Sequence, residues 1–376
     1  MNRNAVCIIG AGIAGASLAW RLARAGHVVT LVERESQPGM HSTGRSAAMF
    51  MESYGPPGVR ALTRASRAFY LEPPPDFTAA PLLHPRSALH VATAAQRDLL
   101  MGLRADLAAS GTPVKLLNSE QLRHVVPALK ADLFQNGLLD EHGFDIDVHA
   151  LLQGFLRGAR QGGARLVTEV HPVQATRAAD GWVVQLSDGQ AVPARTVVNA
   201  AGAWVDDVAA RFGARPIGIE PRRRSAFTFP SPPEFDTTDW PLVADLGESW
   251  YFKPDAGQLL GSPANVDPVS PHDVQPEEYD IAVGIHNIQE ATTLAIRRPT
   301  ATWAGLRSFV QDGEIVIGFD DALDGFFWLA AQGGYGIQSA AGASLLAASL
   351  IEGSPLPDEL VRHGVVPAVV SPRRLR

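Results

Sequence analysis

The chain has 376 residues, which is more than one hydrophobic core usually supports, so a main domain with a second domain is expected. Its hydrophobic fraction of 46% and charged fraction of 19% are ordinary for a globular protein and exclude a disordered chain. The formal net charge of -7 gives no reason to expect nucleic acid, whose backbone would need a basic face, so a small-molecule partner is favoured.

Cysteine usage and hydropathy limit the choices further. Cys7 is the single cysteine, so a disulfide within the chain is excluded and a reducing compartment is compatible. The longest apolar runs, such as residues 326–331, are much shorter than the ~20 residues that span a bilayer. We therefore expect no transmembrane segment and a cytoplasmic location, with peripheral association at the inner membrane as the alternative.

The first elements of the chain form a strand-helix-strand pattern. Apolar runs at Ala5–Ile9 and Val28–Val32 predict two buried strands, and residues 13–25 between them predict a helix that stops at Gly26. Such a βαβ unit is the usual start of a doubly wound, Rossmann-like α/β domain.

A GxGxxG motif lies between the first strand and the helix, and an acidic residue ends the second strand. The first glycine allows the tight turn, the second lets backbone approach a pyrophosphate, and the third lets helix and strand pack. The helix N-terminus favours phosphate, and the acid can accept from a ribose hydroxyl. The motif predicts a dinucleotide site, with a ligand-free glycine-rich turn as the alternative, at Gly10, Gly12, Ile13, Ala14, Gly15 and Glu33.

The later elements alternate between two interleaved domains. Helical patterns at 59–70 and 94–109 belong to one part of a second domain, and Asp-Gly turns between residues 173 and 194 predict a small meander. Strands at 196–202, 315–317 and 326–330 and a helix at 337–351 complete the first domain, and a strand at 225–229 belongs to the rest of the second domain. We predict a discontinuous dinucleotide-binding domain (1–50, 146–220 and 304–376) and a β-rich α+β substrate domain (51–145 and 221–303).

Three further segments resemble the FAD-dependent D-amino-acid oxidase superfamily: residues 40–48 (MHSTGRSAA), 199–204 (NAAGAW) and 333–338 (GGYGIQ). The resemblance implies non-covalent FAD with the isoalloxazine at the domain interface. The last segment suits that role because a helix entry presents N–H groups to the electron-rich pyrimidine; a core helix with a loose entry is the alternative. The implied cofactor residues, besides those of the motif, are Arg34, Ser42, Thr43, Gly44, Arg45, Ser46, Ala47, Ala48, Met49, Val170, Ala201, Gly202, Trp204, Gly333, Gly334, Tyr335, Gly336, Ile337 and Gln338.

Within that superfamily the chain is most similar to bacterial D-arginine and D-amino-acid dehydrogenases, through residues 41–48, 59–63, 261–265, 272–277, 303–309 and 371–375. The similarity implies that Arg224 and Arg307 anchor a substrate carboxylate, with Tyr54 and Tyr251 as hydroxyl partners. An arginine fork suits a carboxylate. It also implies that the Gly334 carbonyl accepts from the substrate amine and that Gln338 borders the flavin.

Two positions depart from the D-arginine dehydrogenase pattern. Met49 replaces an active-site histidine, and Ala88 replaces the glutamate that meets the cationic end of the substrate. Without that glutamate a guanidinium would lose hydration and gain no partner. We therefore expect a substrate with an uncharged or apolar side chain.

Two other polar clusters have competing interpretations. The triplet Arg222 to Arg224 has the composition of a solvated basic run, but alternation along a strand would turn Arg223 and Arg224 to opposite faces. The acids and histidines of 140–149 suggest metal ligands, but they precede an apparent helix, so we favour a capping role and expect no metal site.

The resemblance implies an enzyme that transfers hydride from the Cα of a D-amino acid to flavin N5, giving the 2-oxo acid and ammonia. An alignment of residues 256–261 sets Leu259 where related amine oxidases carry an oxygen-activating lysine. We therefore expect a dehydrogenase whose acceptor is a quinone or an electron-transfer protein. The alternatives are an oxygen-using glycine or sarcosine type of amine oxidase, a D-arginine dehydrogenase with an altered pocket, and a protein of another class that shares only the βαβ unit.

Overall fold

The computed structural model describes residues 4–130 and 132–376, so the first three residues of the predicted 1–50 segment lie outside it. The strands within these ranges are β1 (Ala5–Ile9), β2 (Val28–Val32), β3 (Met49–Phe50), β4 (Leu83–Pro85), β5 (Ala88–Thr93), β6 (Lys115–Asn118), β7 (Phe134–Asp140), β8 (Phe144–Ile146), β9 (Arg165–Val167), β10 (Pro172–Ala178), β11 (Gly181–Leu186), β12 (Ala191–Ala194), β13 (Thr196–Asn199), β14 (Glu220–Pro230), β15 (Leu242–Asp245), β16 (Tyr251–Asp255), β17 (Gln258–Ser262), β18 (Asp267–Pro268), β19 (Ala301–Phe309), β20 (Val316–Phe319) and β21 (Phe326–Ala330).

The α-helices in the same ranges are α1 (Ile13–Arg24), α2 (Pro57–Leu71), α3 (Arg97–Ala109), α4 (Ser119–Val125), α5 (Val148–Gln161), α6 (Val205–Phe212), α7 (Glu278–Ala291), α8 (Gly336–Glu352), α9 (Asp358–Arg362) and α10 (Pro367–Val370). Short 3-10 helices cover Ala94–Gln96, Gly202–Trp204 and Pro372–Leu375. None of the helices in the described part of the chain is long and apolar enough to cross a bilayer.

A six-stranded sheet in the order β20-β21-β13-β1-β2-β9 forms the first layer of the α/β fold, with only β20 antiparallel to its neighbour. Its strands come from the three segments predicted for the dinucleotide-binding domain. Helices α1, α5 and α8 pack on one face, while the meander β10 to β12 and α6 close the other face. This is the Rossmann-like architecture that the βαβ motif predicts.

A nine-stranded, mostly antiparallel sheet carries the substrate side of the molecule, in the order β18-β14-β17-β16-β15-β5-β7-β6 with β19 paired to β14. Alternation divides its residues between two faces. Val243, Phe252 and Leu259 pack with α4 and α7 on one face, whereas Leu242, Ala244 and Tyr251 lie on the other.

Pairing between β14 and β19 explains two differences from the predicted elements. The strand predicted at 225–229 begins five residues earlier, at Glu220, because the charged triplet before it is paired in register with β19. The predicted domain boundary at 303/304 falls inside β19 for the same reason. The domain limits given above therefore remain a prediction, and three of them, 145/146, 220/221 and 303/304, fall inside the continuous strands β8, β14 and β19.

Candidate active site

The turn between β1 and α1 shows why its glycines are required. Gly10 has a φ of 101°, and a Cβ there would overlap the carbonyl of Ala200 on β13. A Cβ on Gly15 would overlap the Gly10 carbonyl, so helix and turn could not approach as closely. Gly12, in contrast, borders open space, where its nearest neighbour would be Thr43 Oγ1 at 3.3 Å. The turn therefore leaves a bare backbone cradle at the N-terminus of α1.

Glu33 and Thr43 complete this end of the site. The Glu33 carboxylate, at the end of β2, accepts from the Ala11 N–H at 2.8 Å and from the Glu35 N–H at 3.0 Å. Thr43 Oγ1 accepts from the Ile13 N–H at 3.1 Å. These contacts hold an acid and a hydroxyl beside the first turn of α1.

The loop of residues 42–48 is tied to β19 and the segment before α7. Ser42 Oγ donates to the Leu306 carbonyl at 2.6 Å, and Trp303 Nε1 donates to the Arg45 carbonyl at 3.1 Å. The Arg45 guanidinium donates to the Val274 carbonyl at 2.8 Å and pairs with Asp273. The loop thus spans the junction between the two sheets, where the predicted isoalloxazine position lies.

One cavity of about 490 Å³ runs from the start of α1 to the nine-stranded sheet. A volume of this size and an elongated path suit a large cofactor together with a small substrate. The predicted residues that line it are Gly12, Ile13, Ala14, Ser42, Thr43, Arg45, Ser46, Ala47, Ala48, Met49, Tyr54, Gly202, Arg224, Tyr251, Arg307, Gly333, Gly334, Tyr335, Gly336, Ile337 and Gln338.

Several predicted residues lie next to this cavity but do not line it. Arg34 stacks on Trp204, with the guanidinium carbon 4.2 Å from the ring centroid, and Val170 is buried in the core with its N–H bonded to the Glu33 carbonyl. Ala88 is fully buried behind the cavity wall rather than in it, packed with Met49 and Met51. The remaining members of this group are Gly10, Gly15, Glu33, Gly44 and Ala201.

Arg224 and Arg307 face the same part of the cavity from the paired strands β14 and β19. Arg224 Nε donates to the Asn265 carbonyl at 2.9 Å, and Arg307 Nη2 donates to the Tyr54 hydroxyl at 2.5 Å. Within the described residues neither guanidinium has an ion pair, and Arg224 Nη2 is buried without a partner. The site therefore presents two positive charges to which no described acid is bonded.

The neighbouring Arg223 has the opposite environment. It turns to the other face of β14, where Nε bonds Asp280 at 2.8 Å and the guanidinium also pairs with Glu277. The alternation predicted for the triplet is therefore present. Burial first, and the positive charge of Arg307 second, lower the pKa of Arg224, so an anion in the cavity would stabilise its charged form.

The glycine-rich loop before α8 is shaped around Arg307. A Cβ on Gly334 would overlap the Arg307 guanidinium, and the Gly333 N–H donates to the Ser308 carbonyl at 2.9 Å. The Tyr335 ring lies edge-on to Tyr54, with centroids 5.1 Å apart. The loop and β19 thus form one packed unit.

Gln338 lines the cavity, but its amide is used as a brace. Its Nε2 donates to the Tyr54 carbonyl at 3.2 Å and to Thr63 Oγ1 at 3.1 Å, and its Oε1 accepts from the Met51 N–H at 3.3 Å. The flavin-bordering role implied by the family resemblance stays a prediction. The hydrogen bonds show in addition that Gln338 fixes the segment that carries Tyr54.

The structure also shows the partners of two acids in the 140–149 segment, for which metal binding and helix capping were the competing interpretations. Asp147 caps α5 by accepting from the Ala150 N–H at 2.8 Å, which is the capping role favoured above. Asp145 bonds both Lys253 Nζ at 2.6 Å and Arg86 Nε at 2.8 Å. These acids therefore have structural partners.

The alignment that set Leu259 beside the flavin is wrong. Leu259 is fully buried on the face of the nine-stranded sheet that packs against α7, opposite the face that carries Tyr251. Among the described residues that line the cavity there is no lysine. Lys253 is buried on the same face of the sheet as Tyr251, and its ammonium group pairs with Asp145.

Sequence reasoning missed several cavity residues, among them Arg60, His90, Leu103, Glu248 and Gln332. Arg60 lies inside the 59–63 segment and Gln332 directly before the 333–338 segment, but neither was singled out, and no motif surrounds the other three. Only the strand alternation that relates Ala88 to His90 could have indicated one of them.

A glycine cradle at a helix N-terminus, an acid at the end of β2 and a cavity that continues to a second sheet define a dinucleotide-binding protein of the Rossmann-like class. A sequence profile described as FAD dependent oxidoreductase, DAO, matches residues 5–350. The chain belongs to this family of FAD-dependent oxidoreductases.

Mitochondrial dimethylglycine dehydrogenase from Homo sapiens is 26% identical over 268 residues, which cover 70% of this chain and 30% of that protein. The chain thus spans about a third of the length of this relative. Glycine oxidase from Geobacillus kaustophilus has the same fold, with a TM-score of 0.83, 21% identity and coverage of 96% and 98% of the two chains. L-alpha-glycerophosphate oxidase from Mycoplasma pneumoniae, solved with FAD bound, has a TM-score of 0.84, 18% identity and coverage of 93% and 94%.

FAD is the cofactor of this chain. The residues present fit it, because the bare Gly12 backbone and Glu33 can take the pyrophosphate and ribose, and the α8 entry can take the flavin. Cys7 is fully buried in the middle of β1, where burial raises its pKa to about 12. A thioether link between flavin and this cysteine therefore does not fit the fold.

Proposed function

We propose that the chain is an FAD-dependent dehydrogenase that oxidises the Cα–N bond of an amino acid, in the first place a D-amino acid, to the imine and hence the 2-oxo acid. The observation that carries the proposal is the pair Arg224 and Arg307, two guanidiniums in one cavity wall with no acid bonded to either among the described residues. A substrate carboxylate would supply the missing counter-charge.

The substrate carboxylate would bind between the two arginines, with the hydroxyls of Tyr54 and Tyr251 completing its shell. Tyr54 is already oriented by Arg307 through its hydroxyl and by Gln338 through its backbone. Such pre-orientation lowers the ordering that binding requires, and precise positioning of Cα accounts for much of the rate.

The substrate amine would donate to the Gly334 carbonyl, which lies beside the carboxylate anchors on the cavity wall. If the amine binds in its neutral form, its lone pair can form the C=N bond as hydride leaves Cα, so no side chain is needed as a strong base. When bound, FAD supplies the acceptor for the hydride from Cα. The apolar wall around Met49 and Met51 keeps water from that position.

An uncharged side chain is the second part of the proposal. Close to Tyr54 and Tyr251 the wall consists of Met49, Met51 and Leu242, with Ala88 behind it. Glu52 is paired with Arg67 at 2.9 Å, and Asp245 accepts from Gln96 and Ser249, so neither acid is free for a substrate cation. Glu248 lines the outer cavity without a bonded partner among the described residues and is the acid that could oppose this preference.

An amine oxidase of the glycine or sarcosine type is the second candidate, favoured by the sequence similarity to a dehydrogenase named for dimethylglycine and by the fold shared with a glycine oxidase. The two candidate functions differ in the substituents on the substrate nitrogen and in the electron acceptor. The absence of lysine from the described cavity wall favours slow reaction with oxygen, and hence a quinone or electron-transfer protein as acceptor.

The test is anaerobic mixing of the FAD-loaded protein with D-amino acids, L-amino acids, glycine, sarcosine and dimethylglycine, followed by flavin absorption. We expect a D-amino acid with an uncharged side chain to bleach the flavin fastest and D-arginine or D-lysine to be at least about tenfold slower. Fastest bleaching by sarcosine or dimethylglycine, together with rapid reoxidation in air and peroxide release, would favour the second candidate instead.

A further inference from the structure

His90 is the one histidine that lines the cavity among the described residues. It lies on β5 two positions after Ala88, on the same face of the strand, so it follows the site where the D-arginine enzymes carry their glutamate. Its strand partners in register are Ala244 on β15 and Leu138 on β7.

The surroundings of His90 are apolar on both sides. Toward the arginines lies the cluster with Leu242 and Ala244, and toward α3 lies a second cluster with Leu103 and Leu246. The imidazole is therefore an isolated hydrogen-bonding group in an otherwise apolar part of the wall. Specificity in ligand pockets commonly rests on a few polar groups placed in this way.

No hydrogen bond or ion pair joins the His90 ring to any other described residue. Asp140 stands opposite Ala88 on β7, but its oxygens accept from Ser53 Oγ at 2.7 Å and from the His142 N–H at 3.0 Å. The ring is partly exposed on the cavity wall, so its nitrogens are open to a ligand group of matching chemistry.

The charge state of His90 limits which functional groups of a ligand can hydrogen-bond its ring. Burial lowers its pKa, against the opposing effects of Asp140 and Glu248, so the ring is neutral at pH 7 and offers one donor and one acceptor. A hydroxyl or a carboxamide has the same pair of functions. A carboxylate lacks a donor and would meet the charges of Asp140 and Glu248.

We propose that His90 is a specificity-determining residue that hydrogen-bonds the side chain of the substrate, and that the preferred substrates are amino acids with an uncharged polar side chain, a hydroxyl or a carboxamide. This inference rests on the proposed oxidation of amino acids and names the substrate class within it. It divides the cavity wall into an apolar part near Cα and a single polar contact farther out.

The test compares isosteric pairs of D-amino acids by kcat/KM: threonine with valine, asparagine with leucine, and glutamine with homoleucine. Wild-type protein is expected to prefer the polar member of at least one pair by about tenfold or more. In His90→Phe, which keeps a flat ring but cannot hydrogen-bond, that preference should fall to a factor of about two or less. His90→Gln, which keeps a donor and an acceptor, should retain part of it.

The control is His286→Phe, an exposed histidine on α7 behind the other face of the sheet, which should leave the preference unchanged. Retention of the polar preference in His90→Phe, a preference for the aliphatic member in all pairs, or about tenfold faster turnover of D-lysine would overturn the inference. Each of these outcomes still shows amino-acid oxidation. Failure of the proposed function is a different result, in which no amino acid of the panel reduces the flavin.

Discussion

The two ends of the cavity are built in different ways. The turn at the cofactor end is made by nearby residues of the β1–α1–β2 unit, from bare backbone and a single acid. The substrate end collects Tyr54, Arg224, Tyr251 and Arg307 from segments far apart in sequence, and depends on the register of β14 with β19. At the cofactor end, an added Cβ on Gly10 or Gly15 would overlap backbone atoms. At the substrate end, the displacement of a single side chain can disrupt binding.

The largest effect is expected at the cofactor end, from Gly15→Ala. The new Cβ would overlap the Gly10 carbonyl and force α1 away from the turn, so FAD binding should be lost. Flavin content after purification, relative to protein absorbance, measures this. Gly102→Ala in α3, where a Cβ meets nothing within 4 Å, is the matched control and should bind FAD normally. A yellow Gly15→Ala protein would contradict the account.

At the substrate end, Arg224→Ala and Arg307→Ala should each lower kcat/KM by a factor that corresponds to about 2–5 kcal/mol of lost binding free energy, because a desolvated carboxylate would lose its partner. Both variants should retain FAD. Near-normal kinetics in either cavity variant would remove that arginine from the site.

Arg223→Ala should affect stability rather than catalysis. It leaves Asp280 buried without its cation, so the free energy of unfolding should fall by about 3–5 kcal/mol.

Gly334→Ala tests the packing between the glycine-rich loop and Arg307, and a smaller loss is expected because the guanidinium is displaced rather than removed. A rise in KM of about tenfold to a hundredfold with FAD retained is the predicted result. Steady-state kinetics with the best substrate provide the measurement. The double variant Gly334→Ala/Arg307→Ala should be little worse than Arg307→Ala alone, and additive losses would show that the two residues act separately.

Substitution of Asp320, which follows β20 at the edge of the six-stranded sheet, is expected to have the smallest effect on the two ends of the cavity. Burial raises its pKa, but hydrogen bonds from Trp328 Nε1 at 2.9 Å and from the Ala322 and Leu323 N–H groups, with the charge of Arg376, hold the pKa below its usual range. Ionised Asp320 therefore stabilises the fold above the unfolded-state pKa of about 3.9, and the contribution is lost as pH falls through the folded-state pKa.

Chemical denaturation of wild type and Asp320→Asn across pH measures that contribution. The difference in unfolding free energy should be largest near neutral pH and shrink below about pH 4, with turnover at pH 7 unchanged. A difference that grows toward acid pH would show that the carboxylate is not held in its charged form.

The same contrast explains how far the sequence could predict the structure. The bounds of β1, β2 and β21 were predicted because each is a short, mostly apolar run with a glycine or a polar residue beside it. The start of β14 was not, because paired arginines look like a solvated run until β19 is known to lie beside them.

The candidate site was predicted to different depths for a similar reason. Arg224 and Arg307 came from family resemblance, and the structure brings them to one cavity. Ala88 was expected in the pocket because its family counterpart is a long glutamate, but a methyl group on the same strand stays buried behind Met49. His90 went unnoticed because one histidine in an amphipathic strand carries no spacing signal.

The central claim is that a substrate carboxylate, held by Arg224 and Arg307, positions Cα for oxidation. The most direct measurement is anaerobic reduction of the FAD-loaded protein by a reactive D-amino acid and by the amine that remains when its carboxylate is replaced by hydrogen. We predict that the amino acid bleaches the flavin and that the amine does so at least about a hundredfold more slowly, since both guanidiniums are left unpaired. Equal rates with the two compounds would contradict the account.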